Sequence, residues 1–534
     1  MADERRGGSR DDRRGGGGRS GGRRDDDRRE SREQREERFR TERRDDRGRQ
    51  RSQARRGNQG YRSAAAPSQR RRAGDPARRA AWDVLRAVDD GAYANLELPK
   101  LLRHNGIGGR DAAFASELCY GSLRMRGFYD AVIERAAGRP VSQIDAPVLS
   151  TMRLGAHQLL GMRVPSHAAA SETVALAREV NGAGAAGFVN AVLRRISERS
   201  REDWVAEVTG GLSGDAALAI EHSHPEWIVR ALRTSLGEQA AELEDLLVAD
   251  NEPAAVSLVA RPGLATVDEL VAAGAVASSM SPVAATWEGD PGALPAVRET
   301  RAAVQDEGSQ LLALAMAAVP GTGRDHEEWL DLCAGPGGKA ALLATLAHEQ
   351  GAVLFANEVN PKRTELVRRT MAAALDAGAE VMIGTGDGRE LGGEEPDTYD
   401  RVLVDAPCTG LGALRRRPEA RWRKTVADLG DLTVLQGELL DSAIRATRPG
   451  GVIGYATCSP HLAETVQVVR DALTAHPEVT AEDARPYFRA ADGSAIEGVG
   501  DGPWVQLWPH RHHTDAMFFA LLRKSPVAQP DSES

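Results

Sequence analysis

The sequence predicts a chain of several domains, the largest of which is an α/β domain with a doubly wound, mostly parallel sheet. Three observations carry this prediction. Residues 311–524 alternate strand-like and helix-like patterns, residues 75–198 show almost only helical periodicity, and residues 199–310 mix the two. The order of domains is therefore an all-α domain, a linker with a small α+β module, and the α/β domain. A length of 534 residues accommodates about three or four such units.

The two ends of the chain differ from this pattern. Residues 1–74 hold 25 arginines against 14 acidic residues, a net charge of +11, whereas the whole chain carries −9. This segment has too few apolar residues to form a core, so we predict that it is disordered. Its Arg/Gly stretches at 13–19 and 47–56 could contact RNA phosphates, but the interleaved acidic residues equally favour a solvating tail. Residues 525–534 form a second polar tail.

Composition also bears on the cellular setting. The chain has no apolar run of about 18 residues, and it is charged from Asp3 onward, so neither a transmembrane helix nor a signal peptide is predicted. Its four cysteines, at 119, 333, 408 and 458, are far apart and form no CxxC pair. This spacing argues against a disulfide scaffold or a zinc site. We expect a cytoplasmic monomer with free thiols, no membrane association and no bound metal.

The all-α domain begins at Asp75-Pro76, where Asp can cap a helix and Pro suits its first turn. An apolar stripe follows at residues 81, 84, 85 and 88. Further helices are predicted over 112–127, 128–137, 144–160, 168–180 and 188–196. In the next segment His224-Pro225 opens a helix that runs to residue 236, and residues 256–259 are predicted to form a strand.

In the α/β domain, strands are predicted over 329–333, 352–357, 380–383, 401–405 and 452–456, with a closing strand over 518–522. The first strand leads into the turn Gly335-Pro336-Gly337-Gly338 and then a helix. A glycine turn between strand and helix can present backbone N–H groups to a cofactor. Because any tight strand-to-helix turn can be rich in glycine, this feature is weak by itself.

The distinctive polar residues fall where strands end, which is where ligands bind in a doubly wound sheet. Glu358 lies about 20 residues past the glycine turn, a spacing typical of an acid that binds ribose hydroxyls. Asp387 follows the third strand and could meet an adenine amino group. Asp405 and Cys408 follow the fourth strand, and Cys458 follows the fifth. Two cysteines at such positions are unlike ordinary core cysteines.

Two groups of motifs resemble known families. The sequences LCYG (118–121), RLGAHQL (153–159) and FVNAVLR (188–194) resemble NusB-type RNA-binding domains. The ordered set DLCAGPGGK (331–339), GDGR (386–389), DAPCTG (405–410) and ATCS (456–459) resembles the Sun/Nop family of RNA cytosine-5 methyltransferases. That family has an S-adenosylmethionine-dependent, Rossmann-like fold. The resemblance therefore implies methylation of carbon 5 of a cytosine in RNA, with ribosomal RNA of the small subunit as the expected partner.

The resemblance also implies roles for individual residues. The cofactor's methionine end is expected to contact Cys333, Ala334, Gly335, Pro336, Gly337, Gly338 and Lys339. Glu358, Asp387 and Asp405 are expected to line the rest of its site. Cys458 corresponds to the nucleophile, and Cys408 to the cysteine that assists product release. The family usually has Asp where this chain has Glu358. The longer Glu358 side chain keeps the carboxylate but is expected to reach further toward the ribose.

The chemistry of the reaction agrees with these residue types. Carbon 5 of cytosine is a poor nucleophile until a thiolate adds to carbon 6, so the reaction needs a cysteine, an acid near ring nitrogen 3 and a base. Cys458, Asp405 and Cys408 can fill these roles. The arginines of 415–417 and 421–423, with Trp422 among them, are predicted to contact phosphates and bases, although an ordinary solvated face is the alternative.

Two other functions fit parts of this pattern, and a related methyltransferase that acts on another RNA is a further alternative. Asp405-Ala406-Pro407-Cys408 is loosely similar to the DPPY pattern of amino-group methyltransferases, but that class needs an aromatic residue in the fourth place. A non-catalytic RNA-binding assembly factor built on the NusB-like domain is the alternative from another class. The presence of both Cys408 and Cys458 argues against it.

Overall fold

The structure is a computed structural model, and it describes residues 74–526. The disordered tail predicted over 1–74 therefore lies outside the described residues except for its last residue, and the polar tail over 525–534 lies outside them except for its first two. Within the described part of the chain, no helix combines the length and the hydropathy needed to cross a bilayer.

The first domain is built from helices alone. Asp75 caps the first of them, as predicted, because its carboxylate accepts a hydrogen bond from the Ala77 N–H at 2.9 Å and Pro76 occupies the first turn. The seven helices are α1 (Pro76–Asp89), α2 (Ala94–His104), α3 (Gly109–Arg124), α4 (Arg126–Ala137), α5 (Ala146–Leu160), α6 (Ser166–Val180) and α7 (Ala183–Ile196). Cys119 is fully buried in the core that α1, α3 and α5 share.

A helical linker and a small antiparallel sheet follow. The linker consists of α8 (Arg201–Thr209), α9 (Asp215–Glu221), α10 (Glu226–Leu236) and α11 (Leu243–Ala249). The α+β module contains β1 (Val256–Ala260), α12 (Val267–Ala272), β2 (Val276–Ala277), β3 (Ala284–Trp287), α13 (Pro295–Arg298) and β4 (Ala302–Val304). Its four strands are ordered β2-β3-β1-β4, and every pair is antiparallel.

The largest domain alternates strands and helices. Its strands are β5 (Glu328–Asp331), β6 (Val353–Asn357), β7 (Val381–Gly384), β8 (Tyr399–Asp405), β9 (Thr447–Thr457), β10 (Val479–Glu482), β11 (Val505–Gln506) and β12 (Phe518–Lys524). Its helices are α14 (Glu307–Ala318), α15 (Gly338–Glu349), α16 (Pro361–Thr370), α17 (Ala372–Asp376), α18 (Gly388–Glu394), α19 (Ala420–Arg423), α20 (Val426–Ala446), α21 (Val466–Ala475) and α22 (Pro509–His512).

The main sheet has the order β10-β12-β9-β8-β5-β6-β7, with β11 paired to β12. The five strands from β9 to β7 are parallel, and β12 is antiparallel to β9. Chain order reverses between β5 and β8, which creates a crevice at their carboxyl ends. The predicted architecture is thus confirmed: an α/β Rossmann-like domain preceded by an all-α domain and a small α+β module.

Candidate active site

Three neighbouring strands bring the candidate residues to one edge of the main sheet. β8 pairs with β5 on one side and with β9 on the other, all in parallel, so the chain leaves all three strands at the same edge. Asp331 ends β5, Asp405 ends β8, and Cys458 follows the last residue of β9. These strand ends therefore converge, although Asp331 and Cys458 lie more than 120 positions apart in the sequence.

The glycine turn after β5 is shaped by close neighbours. Gly337 has a φ of +111°, a left-handed conformation that favours glycine, and a Cβ there would press against the backbone of Val367. A Cβ at Gly335 would collide with the carboxylate of Glu358. The Ala334 N–H donates to the Asn357 carbonyl at 2.8 Å, which fixes the turn to the end of β6. The backbone conformation therefore favours glycine at 337, whereas a side chain at 335 would displace the Glu358 carboxylate.

Asp331 is a buried acid at the end of β5. It is 1% exposed, and neither carboxylate oxygen has a hydrogen-bond partner among residues 74–526. Burial raises the pKa of this carboxyl to about 7, and the nearby Asp405 carboxylate adds to the effect. An unpaired buried acid is costly, so a cationic ligand group beside the glycine turn would stabilise this arrangement.

Lys339 and Asp405 form an ion pair across the crevice. Lys339 Nζ lies 2.8 Å from Asp405 Oδ2, and the lysine side chain is only 12% exposed. Burial by itself lowers the pKa of the Lys339 ammonium, but the Asp405 carboxylate outweighs burial and the net pKa is raised. The pair therefore keeps a fixed positive charge and a carboxylate between the glycine turn and the two cysteine loops.

The sulfurs of Cys408 and Cys458 are 3.4 Å apart. The hydrogen bond between them lowers the pKa of the Cys458 thiol, and the Lys339 charge acts in the same direction although burial opposes it. The same hydrogen bond, followed by burial and the charge of Glu464, holds the pKa of Cys408 well above its ordinary value. The two thiols are close but unequal. Their shared hydrogen bond favours a thiolate at Cys458, where Lys339 supports it while burial and the Asp405 carboxylate oppose it, and Glu464 disfavours a thiolate at Cys408.

This inequality predicts an order of thiol reactivity. At pH 7 we expect iodoacetamide to label Cys458 before Cys408 or Cys333, because a thiolate is the attacking species and only Cys458 has a lowered pKa. Peptide mass spectrometry of protein labelled between about pH 6 and pH 9 measures each rate. Faster labelling of Cys408 would contradict the assignment, and the fully buried Cys119 serves as the unreactive control.

Glu464 connects the loop that carries Cys408, after β8, with the loop that carries Cys458, after β9. This fully buried carboxylate accepts the Thr409 N–H at 2.7 Å, the Ser459 hydroxyl at 2.6 Å and the Gln436 amide at 3.1 Å, and also the Thr409 hydroxyl. Thr409 follows Cys408 directly, and Ser459 follows Cys458. Glu464 is not among the site residues predicted from the sequence. No local pattern marks it, because its partner Thr409 is 55 positions away.

Replacement of Glu464 should therefore loosen both loops. We expect Glu464→Ala to lower the midpoint of thermal unfolding by about 5 °C, since several buried donors lose their acceptor. We also expect faster alkylation of both Cys408 and Cys458. Glu365→Ala is the matched control because Glu365 pairs only with Arg368 and Arg369 on the surface. Equal unfolding midpoints for the two variants would show that Glu464 does not hold the loops.

Glu358 and Asp387 lie at the ends of β6 and β7, as predicted, but both are already engaged. Glu358 is buried, accepts the Asn360 N–H at 2.9 Å and lies 3.4 Å from Arg363. Asp387 caps α18 and pairs with Arg389 at 2.6 Å, which lowers the pKa of its carboxyl. Both carboxylates stay near the crevice, and their assignment to ribose and adenine contacts stays a prediction.

The arginine cluster after Cys408 largely faces inward. Arg421 is fully buried and donates to the carbonyls of Arg124 and Ser223 and to the side chain of Asn251. Arg423 donates to the carbonyls of Val88 and Ala92, at the end of α1. The predicted RNA contact is therefore wrong for Arg421, whose charge joins the helical domain and the linker to the α/β domain. A sequence cannot distinguish an arginine that binds carbonyls from one that binds phosphates.

Comparison with family models agrees with this architecture. Residues 321–523 match the model described as 16S rRNA methyltransferase RsmB/F, and residues 75–198 match the NusB family. A putative methyltransferase of Mycobacterium tuberculosis is 53% identical over 460 residues, which cover 85% of this chain and 98% of that protein. The ribosomal RNA small subunit methyltransferase B of Erwinia tasmaniensis is 30% identical over 456 residues, covering 83% of this chain and 97% of that enzyme.

Among solved structures, the crystal structure of PH0851 superposes with a TM-score of 0.70 at 22% identity. The match covers 84% of this chain and 99% of that one. At this level of identity the likeness concerns the fold alone, and it extends over the helical domain, the linker and the α/β domain together.

Proposed function

We propose that this chain, which belongs to the RsmB/F family of 16S rRNA methyltransferases, methylates carbon 5 of a cytosine in small-subunit ribosomal RNA. The chain is an RNA methyltransferase, and its methyl donor is S-adenosylmethionine. The position of the methyl group and the covalent route are the new parts of the proposal. The observation that carries them is the pair of unequal thiols 3.4 Å apart, beside the Lys339–Asp405 ion pair.

The residues around the glycine turn fit the methyl donor. The Asp331 carboxylate, which has no hydrogen-bond partner among residues 74–526, suits a cationic amino group, and the glycine at 335 lets the Glu358 carboxylate come close to the turn. Glu358 and Asp387 would hold the ribose and adenine ends. Bound there, S-adenosylmethionine supplies an electrophilic methyl group. The chain's own residues must then make carbon 5 nucleophilic and afterwards release the product.

Cys458 is the better nucleophile of the two thiols because its pKa is lowered. Its thiolate adds to carbon 6 of the cytosine ring, which breaks the double bond between carbons 5 and 6. Negative charge then develops at ring nitrogen 3, which takes up a proton from the Lys339 ammonium, relayed through the Asp405 carboxylate that pairs with it. Carbon 5 is then electron-rich and takes the methyl group.

Cys408 is suited to the elimination that follows. Carbon 5 now carries both the methyl group and its original proton, and removal of that proton lets the bond between carbon 6 and Cys458 break. In the free enzyme the hydrogen bond and charge of Cys458 raise the pKa of Cys408. Once Cys458 is bonded to carbon 6 its negative charge is gone, so Cys408 becomes easier to deprotonate. It can then accept the proton directly or through water.

The helical domain is proposed to supply part of the RNA-binding surface, since NusB-type domains are RNA-binding modules and residues 75–198 match that family. The rigid link through Arg421 keeps this domain in a fixed place relative to the two cysteines. A long RNA substrate can therefore contact both regions while presenting one cytosine to the crevice.

The decisive experiment maps 5-methylcytosine in small-subunit ribosomal RNA from cells with and without the gene. We expect one or a few cytosines to lose the modification, and purified enzyme with labelled S-adenosylmethionine should restore it on RNA transcribed in vitro. Methylation at a base nitrogen or a ribose would overturn the carbon-5 assignment. Unchanged modification together with RNA binding would instead support the alternative, a non-catalytic assembly factor.

A further inference from the structure

A groove of about 310 Å³ opens beside the loop that carries Cys458. Three segments that are distant in sequence form its walls: helix α10, the start of helix α20, and the residues that follow Cys458. Its main lining side chains are Trp227, Arg230, Val426, Leu429, His461 and Leu462. The linker therefore contributes one wall of a cavity at the edge of the candidate active site.

The groove has the character of a binding site for a flat, partly polar ring. Val426 is 61% exposed and Leu462 is 38% exposed, and exposed apolar residues that cluster around a concave surface commonly mark an interaction site. Trp227 adds an aromatic face. A base can stack on such a face whatever its identity, because every base has a π surface.

Two of the residues that line the groove, His461 and Trp227, carry ring nitrogens that can donate hydrogen bonds. The Nδ1 atom of His461 accepts the Ala463 N–H at 3.1 Å, which leaves the proton of the neutral ring on Nε2. Neither that Nε2 nor the indole N–H of Trp227 has a partner among residues 74–526. Arg230 pairs with Glu226 at 3.2 Å on an exposed helix face, and such a pair is weak enough to exchange for a phosphate.

The groove lies within reach of the cytosine that would bond to Cys458. His461 is three residues after Cys458, so their Cα atoms are separated by about 11 Å at most. Stacked bases along one strand are spaced by about 3.4 Å, which makes this distance equal to about three nucleotides. The loop is also held at both ends, because Ser459 and Glu464 are hydrogen-bonded to each other at 2.6 Å.

We propose that this groove binds one base of the RNA substrate, located within three nucleotides of the methylated cytosine, by stacking on Trp227 and hydrogen bonding to His461. The proposal rests on the proposed function and deepens it by assigning a second contact to the same RNA strand. A base bound here fixes the direction in which the strand passes Cys458, and it gives the enzyme a preference for the sequence around its target. The linker helix α10 thereby takes part in substrate selection.

The test measures RNA binding rather than catalysis, so that it can fail separately from the proposed function. The probe is a fluorescent fragment of small-subunit ribosomal RNA that spans the mapped cytosine, with single abasic sites placed at each of the three positions on either side. Wild-type protein should bind one of these abasic fragments about tenfold more weakly than the intact one, the loss expected from one stacked base. Methylation of the intact fragment is recorded in parallel and reports the proposed function.

In Trp227→Ala the intact fragment should bind about tenfold more weakly, and the abasic site should add no further loss. Trp227→Phe should restore most of the affinity because it keeps the aromatic face. A second pair of variants changes exposed residues, where substitutions usually alter stability little. Val426 and Val434 lie on the same helix and are 61% and 63% exposed, but only Val426 lines the groove.

Val426→Glu should therefore weaken RNA binding several-fold more than Val434→Glu, although both add the same charge to the same helix. The proposal is overturned if the two glutamate variants bind the intact fragment equally. It is also overturned if the abasic penalty persists in Trp227→Ala, as it would if the groove held a protein partner instead. Normal methylation with either result would show that the proposed function stands while the groove assignment fails.

Discussion

Cys458→Ala is expected to abolish methyl transfer to RNA, by about four orders of magnitude or more, while leaving binding of S-adenosylmethionine nearly unchanged. The nucleophile is lost, so carbon 5 cannot be activated. The residues proposed to hold the methyl donor, from Asp331 to Lys339, belong to β5, its glycine turn and α15, whereas Cys458 follows β9. Calorimetry with the methyl donor and a filter assay with labelled donor and ribosomal RNA measure the two properties.

Cys119→Ala is the matched control for this prediction. Cys119 is fully buried in the helical domain, so its replacement removes one thiol without touching the crevice. Its methyl transfer should equal that of the wild type even if its stability falls slightly. Wild-type turnover by Cys458→Ala would exclude Cys458 as the nucleophile. Loss of donor binding in that variant would show that Cys458 supports the cofactor site instead.

Cys408→Ala is expected to accumulate a covalent complex between protein and RNA. This variant keeps Cys458, so it can still bond to carbon 6 and methylate carbon 5. It lacks the group that assists removal of the proton, so the bond to Cys458 breaks slowly. The complex should appear as a shifted band on a denaturing gel. It should require S-adenosylmethionine, because without methyl transfer the addition simply reverses.

The double variant separates the two roles. Cys408→Ala combined with Cys458→Ala should form no covalent complex, since the nucleophile is absent. If the complex appears in Cys458→Ala and not in Cys408→Ala, the roles of the two thiols are exchanged. The surroundings of the sulfurs argue against that outcome, because the hydrogen bond between them lowers the pKa of Cys458 and raises that of Cys408, although the Asp405 carboxylate opposes a thiolate at Cys458.

The fold class could be predicted from the amino-acid sequence, and so could the location of the candidate residues at one edge of the sheet. This was possible because strand and helix periods differ, and because parallel strands joined by helical crossovers all end at the same edge. A glycine turn after β5, an acid after β6 and cysteines after β8 and β9 must then face one crevice. The ordered motifs also indicated the family, which the match over residues 321–523 confirms.

The contacts between these residues could not be predicted from the sequence and are seen only in the folded structure. Strand ends in sequence order do not reveal which strands are neighbours, and it is the pairing of β8 with β9 that places the two sulfurs 3.4 Å apart. Three features depend on contacts between segments 50 to about 300 residues apart: the inequality of the thiols, the hydrogen bond from Thr409 to Glu464 and the inward direction of Arg421. Local patterns hold no information on such contacts, because burial and partner choice are set when the packed domains meet.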